Sequence, residues 1–215
     1  SYLPGEERMT GLMLASLYGH FDLVEFLVEN KAKVTKKDKF KRSPLLHAVR
    51  GGQLKIVSFL LTKGAEFELA DSSNNTPLHY ACSSGFKEIA ELLLKAGASP
   101  NPSNDWKSTP LEIAFLKNHL GIVKYLLDSN LCDINTKFNM DMRLIHYCFQ
   151  KITLKSIEEI KYFIVEKKAD INAVNFHGFS CLHMLAQYNF EQFNVFNRDY
   201  LNSIDEKLIE IGSNV

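Results

Sequence analysis

The 215-residue chain has no excess of charge of either sign and no long apolar run. Lys and Arg together number 25, as do Asp and Glu, so the formal net charge is zero. A neutral chain lacks the basic excess that a general affinity for nucleic acid or anionic membranes would need. No apolar run approaches the roughly 20 residues of a membrane span. We therefore expect no nucleic-acid partner and no membrane insertion.

The chain is also poor in cysteine and lacks the common catalytic motifs. Its four cysteines form no CxxC pair and no Cys/His spacing typical of zinc. We expect reduced thiols in a cytoplasmic or nuclear protein. Nucleophile-elbow, P-loop, zinc-protease and dinucleotide-binding glycine motifs are all missing. We expect no enzyme activity, no catalytic residue, no metal and no cofactor.

What the sequence does contain is a repeat of 33 residues. Four copies of one short motif begin 33 residues apart: "TGLMLA" at Thr10, "SPLLHA" at Ser43, "TPLHYA" at Thr76 and "TPLEIA" at Thr109. Two weaker copies follow at spacings of 34 and 37, "RLIHYC" from Arg143 and "SCLHML" from Ser180. A repeat of this length indicates an array of stacked supersecondary units.

Each repeat predicts a turn, two short helices and a loop. Thr76 is a suitable N-cap, Pro77 fits the first helical position, and Gly85 and Gly97 suit the two helix ends. The second helix is too apolar to face water on all sides. One unit cannot bury this surface alone, so neighbouring units must stack into a solenoid.

The segment 71–101, "DSSNNTPLHYACSSGFKEIAELLLKAGASPN", resembles an ankyrin repeat at nearly every signature position. The resemblance implies an all-α ankyrin-repeat solenoid, in which helix pairs carry β-hairpin fingers. We expect a single array over residues 1–215, with six repeats at about 5–37, 38–70, 71–103, 104–137, 138–174 and 175–215. The last copy stops within a finger, so we also expect the chain to be a fragment of a longer protein.

The last two copies depart from the pattern. Arg143 and Leu144 replace the Thr-Pro start of the fifth repeat, and four extra residues near "QKITLKSIEEI" predict longer helices or a longer link. About 11 extra residues in the sixth repeat fall within 190–202, as an irregular loop or a longer helix.

Most of the histidines fit a structural role. The resemblance implies that His79, His146 and His183 hydrogen-bond the finger backbone, and that His20 and His119 lie at the helix–helix turn. His47 has no partner that the sequence identifies. The resemblance also marks Asn101, Asn135 and Asn172 as finger asparagines, a position at which some family members are hydroxylated.

Ankyrin arrays resemble one another in binding proteins through finger tips and first helices, so positions that vary between copies are the candidate contacts. They are Phe40, Arg42, Arg50, Ser73, Asn75, Trp106, Lys117, Met140, Met142, Phe176, His177 and Tyr188. The function expected is a monomeric interaction module that binds a partner peptide or domain through this concave surface. The alternative is a regulatory or docking domain within a larger enzyme or channel polypeptide.

Trp106 is the only tryptophan, and it lies in the loop "SNDWKSTP". In the fourth finger Asn104 fills the usual Asp position and Lys107 the usual glycine position. We expect the Trp106 ring to be exposed or half-exposed in the free domain and to be buried by a partner. The other outcome is that Lys107 reshapes the finger and tucks the ring against a neighbour.

Overall fold

Helices follow the predicted repeat in the computed structural model, which describes residues 9–150, 154–181, 183 and 184. They are α1 (Gly11–Tyr18), α2 (Phe21–Glu29), α3 (Pro44–Arg50), α4 (Leu54–Thr62), α5 (Pro77–Ser84), α6 (Lys87–Lys95), α7 (Pro110–Leu116), α8 (Leu120–Asp128), α9 (Leu144–Gln150) and α10 (Leu154–Lys161). The chain divides into unit 1, Ser1–Leu131, and unit 2, Cys132–Val215. Within the described residues no helix is long and apolar enough to cross a membrane.

Unit 1 is built from two rows of helices. The first helices of the repeats (α1, α3, α5 and α7) pack against one another in order, and the second helices (α2, α4, α6 and α8) form the other row. Leucines of both rows are fully buried, among them Leu45, Leu60, Leu78 and Leu93. Each such leucine contributes roughly 1.5–3 kcal/mol by burial. The stacked-unit architecture expected from the repeat is therefore confirmed.

The helix ends lie where the sequence predicted them. The Thr76 hydroxyl accepts from the His79 N–H, and His79 Nδ1 accepts in return from the Thr76 N–H at 3.1 Å. Pro77 occupies the first turn, where a missing N–H costs nothing. Gly85 ends α5 in the left-handed conformation at φ 77°, and Gly97 follows α6 at φ 103°.

Four of the fingers are closed by one side-chain oxygen at their base. In each of them, Oδ1 of the base residue accepts hydrogen bonds from the backbone N–H groups two and four residues later, at 2.8–3.0 Å. The base residues are Asp38, Asp71, Asn104 and Asn175. Neighbouring fingers are linked by single backbone bonds, such as Ser72 N–H to the Phe40 carbonyl (2.8 Å). The described parts of the fingers form no β-strand. They are tight turns, and the all-α class is confirmed.

The fifth finger has a different turn because its base residue is Phe138, which offers no side-chain oxygen. A short 3-10 turn, Asn139–Asp141, takes its place, with Met140 and Asp141 both at positive φ. Lys137 Nζ and Asp141 Oδ2 form an ion pair across this turn at 3.0 Å. Arg143, where other repeats have the Thr or Ser cap, donates from Nε to the Asn135 carbonyl (3.1 Å).

The extra residues of the fifth repeat lengthen its second helix. After α10, which is eight residues long, the helix continues as a π-helical segment of five residues, Tyr162–Glu166. The second helices of unit 1 have nine residues each. The longer-helix alternative is therefore confirmed. The predicted insertion at 190–202 lies outside the described residues.

The usual glycine position of the fingers is left-handed even where glycine is absent. Lys41, Asn74 and Lys107 have φ of 61°, 59° and 63°, whereas the sixth finger has Gly178 at 77°. A side chain with a Cβ is disfavoured in this region, by roughly 1–2 kcal/mol per residue. The backbone bonds of each finger base therefore hold these residues in a conformation that they would not adopt alone.

We expect Lys107→Gly to raise the free energy of unfolding by about 1 kcal/mol, because glycine adopts positive φ without the Cβ penalty. Lys124→Gly, in the middle of α8, is the matched control and should lower it by about 1 kcal/mol. Urea unfolding followed by circular dichroism measures both. Equal destabilisation by the two substitutions would contradict the strain assigned to Lys107.

Candidate partner-binding surface

The Trp106 ring is exposed at the tip of the fourth finger. Its exposed fraction is 61%, and its backbone N–H is held by Asn104 Oδ1 at 3.0 Å. Lys107 takes the left-handed conformation, so the finger closes as the others do, with Asn104 N–H donating to the Ser108 carbonyl (3.1 Å). The predicted exposure is confirmed, and the ring is not tucked away. Its burial by a partner stays a prediction.

Most of the other candidates in unit 1 are accessible to differing extents. Phe40 is at the tip of the second finger and 37% exposed. Ser73 and Asn75 in the third finger are half-buried, and Lys117 at the end of α7 is exposed. Arg50 is half-buried, with its guanidinium 6.0 Å from the centre of the Tyr80 ring. These candidates come from adjoining fingers and first helices.

Arg42 is a correction to the predicted set. It is only 7% exposed, because its Nε donates to Asp38 Oδ2 at 2.7 Å and its guanidinium lies over the Phe40 ring at 4.5 Å. The sequence placed it at a finger tip, but the finger folds its side chain back onto the finger base. Arg42 therefore supports Phe40 rather than offering a contact of its own.

In unit 2 the candidates divide in the same way. Phe176 is 74% exposed and Met140 52%, and the exposed His177 ring lies 5.5 Å from that of Phe176. Met142 is a second correction, since it is only 8% exposed and its Sδ accepts from Asn175 Nδ2 at 3.7 Å. Tyr188 lies outside the described residues.

Sequence reasoning missed a buried polar cluster around His47. With its proton on Nε2, His47 donates to Asp38 Oδ2 at 3.0 Å, and its Nδ1 accepts from Arg50 Nη1 at 3.4 Å. The His47 side chain is fully buried, and burial lowers its pKa to about 4, against the opposing effect of Asp38. The imidazole is therefore neutral in the folded protein.

The third repeat has the same arrangement with other residues. The Tyr80 hydroxyl donates to Asp71 Oδ2 at 2.7 Å, and burial together with this bond raises the pKa of Tyr80 to about 12. Burial acts to raise the pKa of Asp71, but bonds from Tyr80, Asn75 and Ser73 hold it below its ordinary value. Asn104 Nδ2 then donates to Asn75 Oδ1 at 2.9 Å, which ties the fourth finger to the third.

A sequence signal for these pairs existed. Asp38 precedes His47 by nine residues, and Asp71 precedes Tyr80 by the same nine. A polar residue at the same position of the first helix, nine residues after an aspartate at the finger base, indicates a side-chain contact in both of these repeats.

Beside this network lies a small cavity of ≈ 150 Å³. It is lined by Asn75, His79, Tyr80, Ser83 and Ile113, and so joins the third finger to α5 and α7. Sites for drug-sized ligands are usually about 300–1,000 Å³. The cavity is therefore large enough for one side chain of a partner and too small for a cofactor.

The predicted structural roles of several histidines are confirmed. His79 Nε2 is 3.1 Å from the Ser108 carbonyl oxygen of the next finger, and His146 Nε2 is 3.0 Å from that of Ala173. His119 begins α8, and its Nε2 lies 3.2 Å from the Ser83 carbonyl oxygen. Both ring nitrogens of His79 are therefore engaged within the fold and not presented to the cavity.

A family model described as ankyrin repeats (3 copies) matches residues 12–104 and 69–138, so the chain belongs to the ankyrin-repeat family. Ankyrin repeats are generic protein–protein interaction modules. No curated protein sequence gives a significant match to the chain.

The fold recurs in many solved structures, since 628 chains match. One is a chain in the structure of the predatory endopeptidase Bd0816 from Bdellovibrio bacteriovorus in complex with immunity protein Bd3460. It is 26% identical, with a TM-score of 0.73, over 85% of this chain and 94% of that chain. Because so many solved structures share this fold, the likeness identifies the scaffold and not the binding partner.

We expect His47→Gln to reduce the loss of stability on acidification. As pH falls from about 6.5 to about 4, the unfolded chain protonates His47 and the folded chain does not, so the free energy of unfolding falls. The slope is at most about 1.4 kcal/mol per pH unit for one group. His79 and His146, whose pKa burial also lowers, contribute in the same direction and remain in the variant.

Urea unfolding at a series of pH values between 4 and 7.5 measures this difference. His20→Gln, at an exposed histidine that makes no side-chain cap bond, is the matched control variant. Identical slopes for His47→Gln and wild type would show that His47 does not carry the effect.

Proposed function

We propose that the chain is an interaction module that binds a partner protein or peptide through its finger tips and the accessible side of its first helices. Trp106 is the observation that carries the proposal. Trp106 leaves 61% of its surface exposed on a finger that is closed by backbone bonds to Asn104 and not by the ring. Tryptophan is among the residues most enriched at interface hot spots.

Other features support the same proposal. The accessible fingers also expose Phe40 in unit 1 and Phe176 and Met140 in unit 2, whereas the framework histidines are engaged within the fold. The similar chain from Bdellovibrio bacteriovorus belongs to a structure of an enzyme bound to an immunity protein. All four cysteines are buried thiols, and the module acts in the cytoplasm or nucleus, where thiols stay reduced.

We expect Trp106→Ala to weaken capture of the native partner by at least tenfold, because truncating a hot-spot residue costs about 2 kcal/mol or more. Phe176→Ala tests the unit 2 fingers separately. Phe26→Ala is the matched control, since Phe26 has the same 61% exposure but lies on α2, a second helix. Quantitative pull-down with titrated bait measures the affinity.

Thermal unfolding of each variant separates binding from stability. Because both rings are largely exposed, we expect the melting temperatures of Trp106→Ala and Phe26→Ala to stay within a few degrees of wild type. Capture that is unchanged by Trp106→Ala, or reduced equally by Phe26→Ala, would refute the assignment of the finger tips.

A further inference from the structure

The zero net charge of the chain conceals a separation of charge within unit 1. We define the unit-1 face as the fingers 38–42, 71–75 and 104–108, the first helices α3, α5 and α7, and Lys117. On this face five cations are exposed or half-buried, namely Lys39, Lys41, Arg50, Lys107 and Lys117. One acid, Asp105, is accessible there, since Asp38, Asp71 and Glu112 are buried.

The second helices of unit 1 have the opposite balance. Their acids are Asp22, Glu25, Glu29, Glu88, Glu91 and Asp128, and their cations are Lys55, Lys87, Lys95 and Lys124. The unit-1 face therefore has an excess of accessible cations, whereas the second helices have a small excess of acids. A surface potential arises from this arrangement even though the sums cancel.

The accessible cations of the unit-1 face are available to a partner. In the part of the chain that the structure describes, Lys41, Lys107 and Lys117 form no ion pair. Two of them, Lys41 and Lys107, are held at finger tips in the left-handed conformation, next to Phe40 and Trp106 respectively. On the unit-1 face, each exposed aromatic tip is therefore accompanied by an exposed lysine.

The cavity at the base of the third finger has a mixed polar and apolar lining, and most of its polar groups are used within the fold. The Tyr80 hydroxyl, both His79 ring nitrogens and the Asn75 amide are already bonded within the fold. What remains for a guest is the Ile113 side chain, the Tyr80 ring and the Ser83 hydroxyl. A lining of this kind accepts an aliphatic side chain, whereas a charged group there would lose its hydration without a partner.

We propose that the unit-1 face binds an extended acidic peptide segment of a partner protein, with one aliphatic side chain of that segment in the cavity between α5 and α7. This inference rests on the proposed function and names the partner class for the same surface. The carboxylates pair with Lys107 and Lys117, and the Trp106 ring packs on the bound segment.

A nucleic acid is the other polyanion to consider, and the geometry disfavours it. Arg42 is bound by Asp38, and one Nη of Arg50 is bound by His47, so neither presents an open guanidinium fork to a phosphate. A phosphate backbone also has no aliphatic side chain for the cavity. The structure therefore favours a peptide.

The single tryptophan supplies the assay. The probe is an acetylated synthetic peptide with two glutamates on each side of one leucine and no aromatic residue. Titrated into the full chain at low salt, it should shift the Trp106 emission to shorter wavelength as the ring becomes buried. A peptide with lysine for glutamate, and one with glycine for leucine, should each bind at least tenfold more weakly.

Two matched pairs of variants locate the peptide. Lys117→Glu should weaken binding about fivefold, as expected for an exposed ion pair, whereas Lys95→Glu on α6 should leave it unchanged. Ser83→Phe, which fills the cavity, should weaken it about tenfold, whereas Ser58→Phe, at an exposed position on α4 outside the unit-1 face, should not. Melting temperatures confirm that each variant is folded, and the peptide comparison on wild type needs no variant.

The outcomes are decisive in both directions. Selective, salt-sensitive binding of the acidic leucine peptide with both variant effects supports the inference. Three results would overturn it. The lysine peptide could bind as well as the acidic peptide, or the Trp106 emission could stay unchanged. A single-stranded oligonucleotide of equal charge could also bind more tightly than the peptide, with no effect of Ser83→Phe. The pull-down with Trp106→Ala is read independently, so the interaction function can hold while the acidic-segment inference fails.

Discussion

The fingers depend on one interaction, the acceptance of two backbone N–H groups by a single side-chain oxygen at the finger base. Asp38, Asp71, Asn104 and Asn175 each provide it. Short polar side chains close turns in this way because the oxygen stands in for a backbone acceptor. Where Phe138 occupies the position, the turn is rebuilt with two left-handed residues. The closure fixes which residue becomes the tip, and so directs Phe40 and Trp106 outward.

The second oxygen of the two aspartates connects the fingers to the helices. Asp38 Oδ2 accepts from His47, and Asp71 Oδ2 accepts from Tyr80, each on the first helix of its own repeat. A buried carboxylate is tolerated only when its oxygens are hydrogen-bonded. Finger shape and helix position are therefore linked through these buried acids, and a rigid finger base lets a tip side chain stay exposed without collapsing onto the domain.

The framework could be predicted from the sequence because the same motif recurs along the chain at a nearly constant spacing. The cap at Thr76, the left-handed end at Gly85 and the exposure of Trp106 all follow from position within a repeat. Arg42 and Met142 were misplaced for the same reason, since periodicity gives the position of a residue and not the direction of its side chain. The Arg42 side chain turns back to donate a hydrogen bond to Asp38, and the Met142 side chain turns back to accept one from Asn175.

The charge of the surface could not be predicted from the composition, which describes the total and not the arrangement. Asp38, Asp71 and Glu112 are buried by the fold, so Asp105 is the one carboxylate of the unit-1 face that a partner can reach. Lys41 and Lys107, by contrast, cannot be buried, because a left-handed finger tip points away from the helices. The same turn that exposes the aromatic ring thus exposes a cation beside it. Apolar and electrostatic recognition on the unit-1 face therefore have a single structural origin.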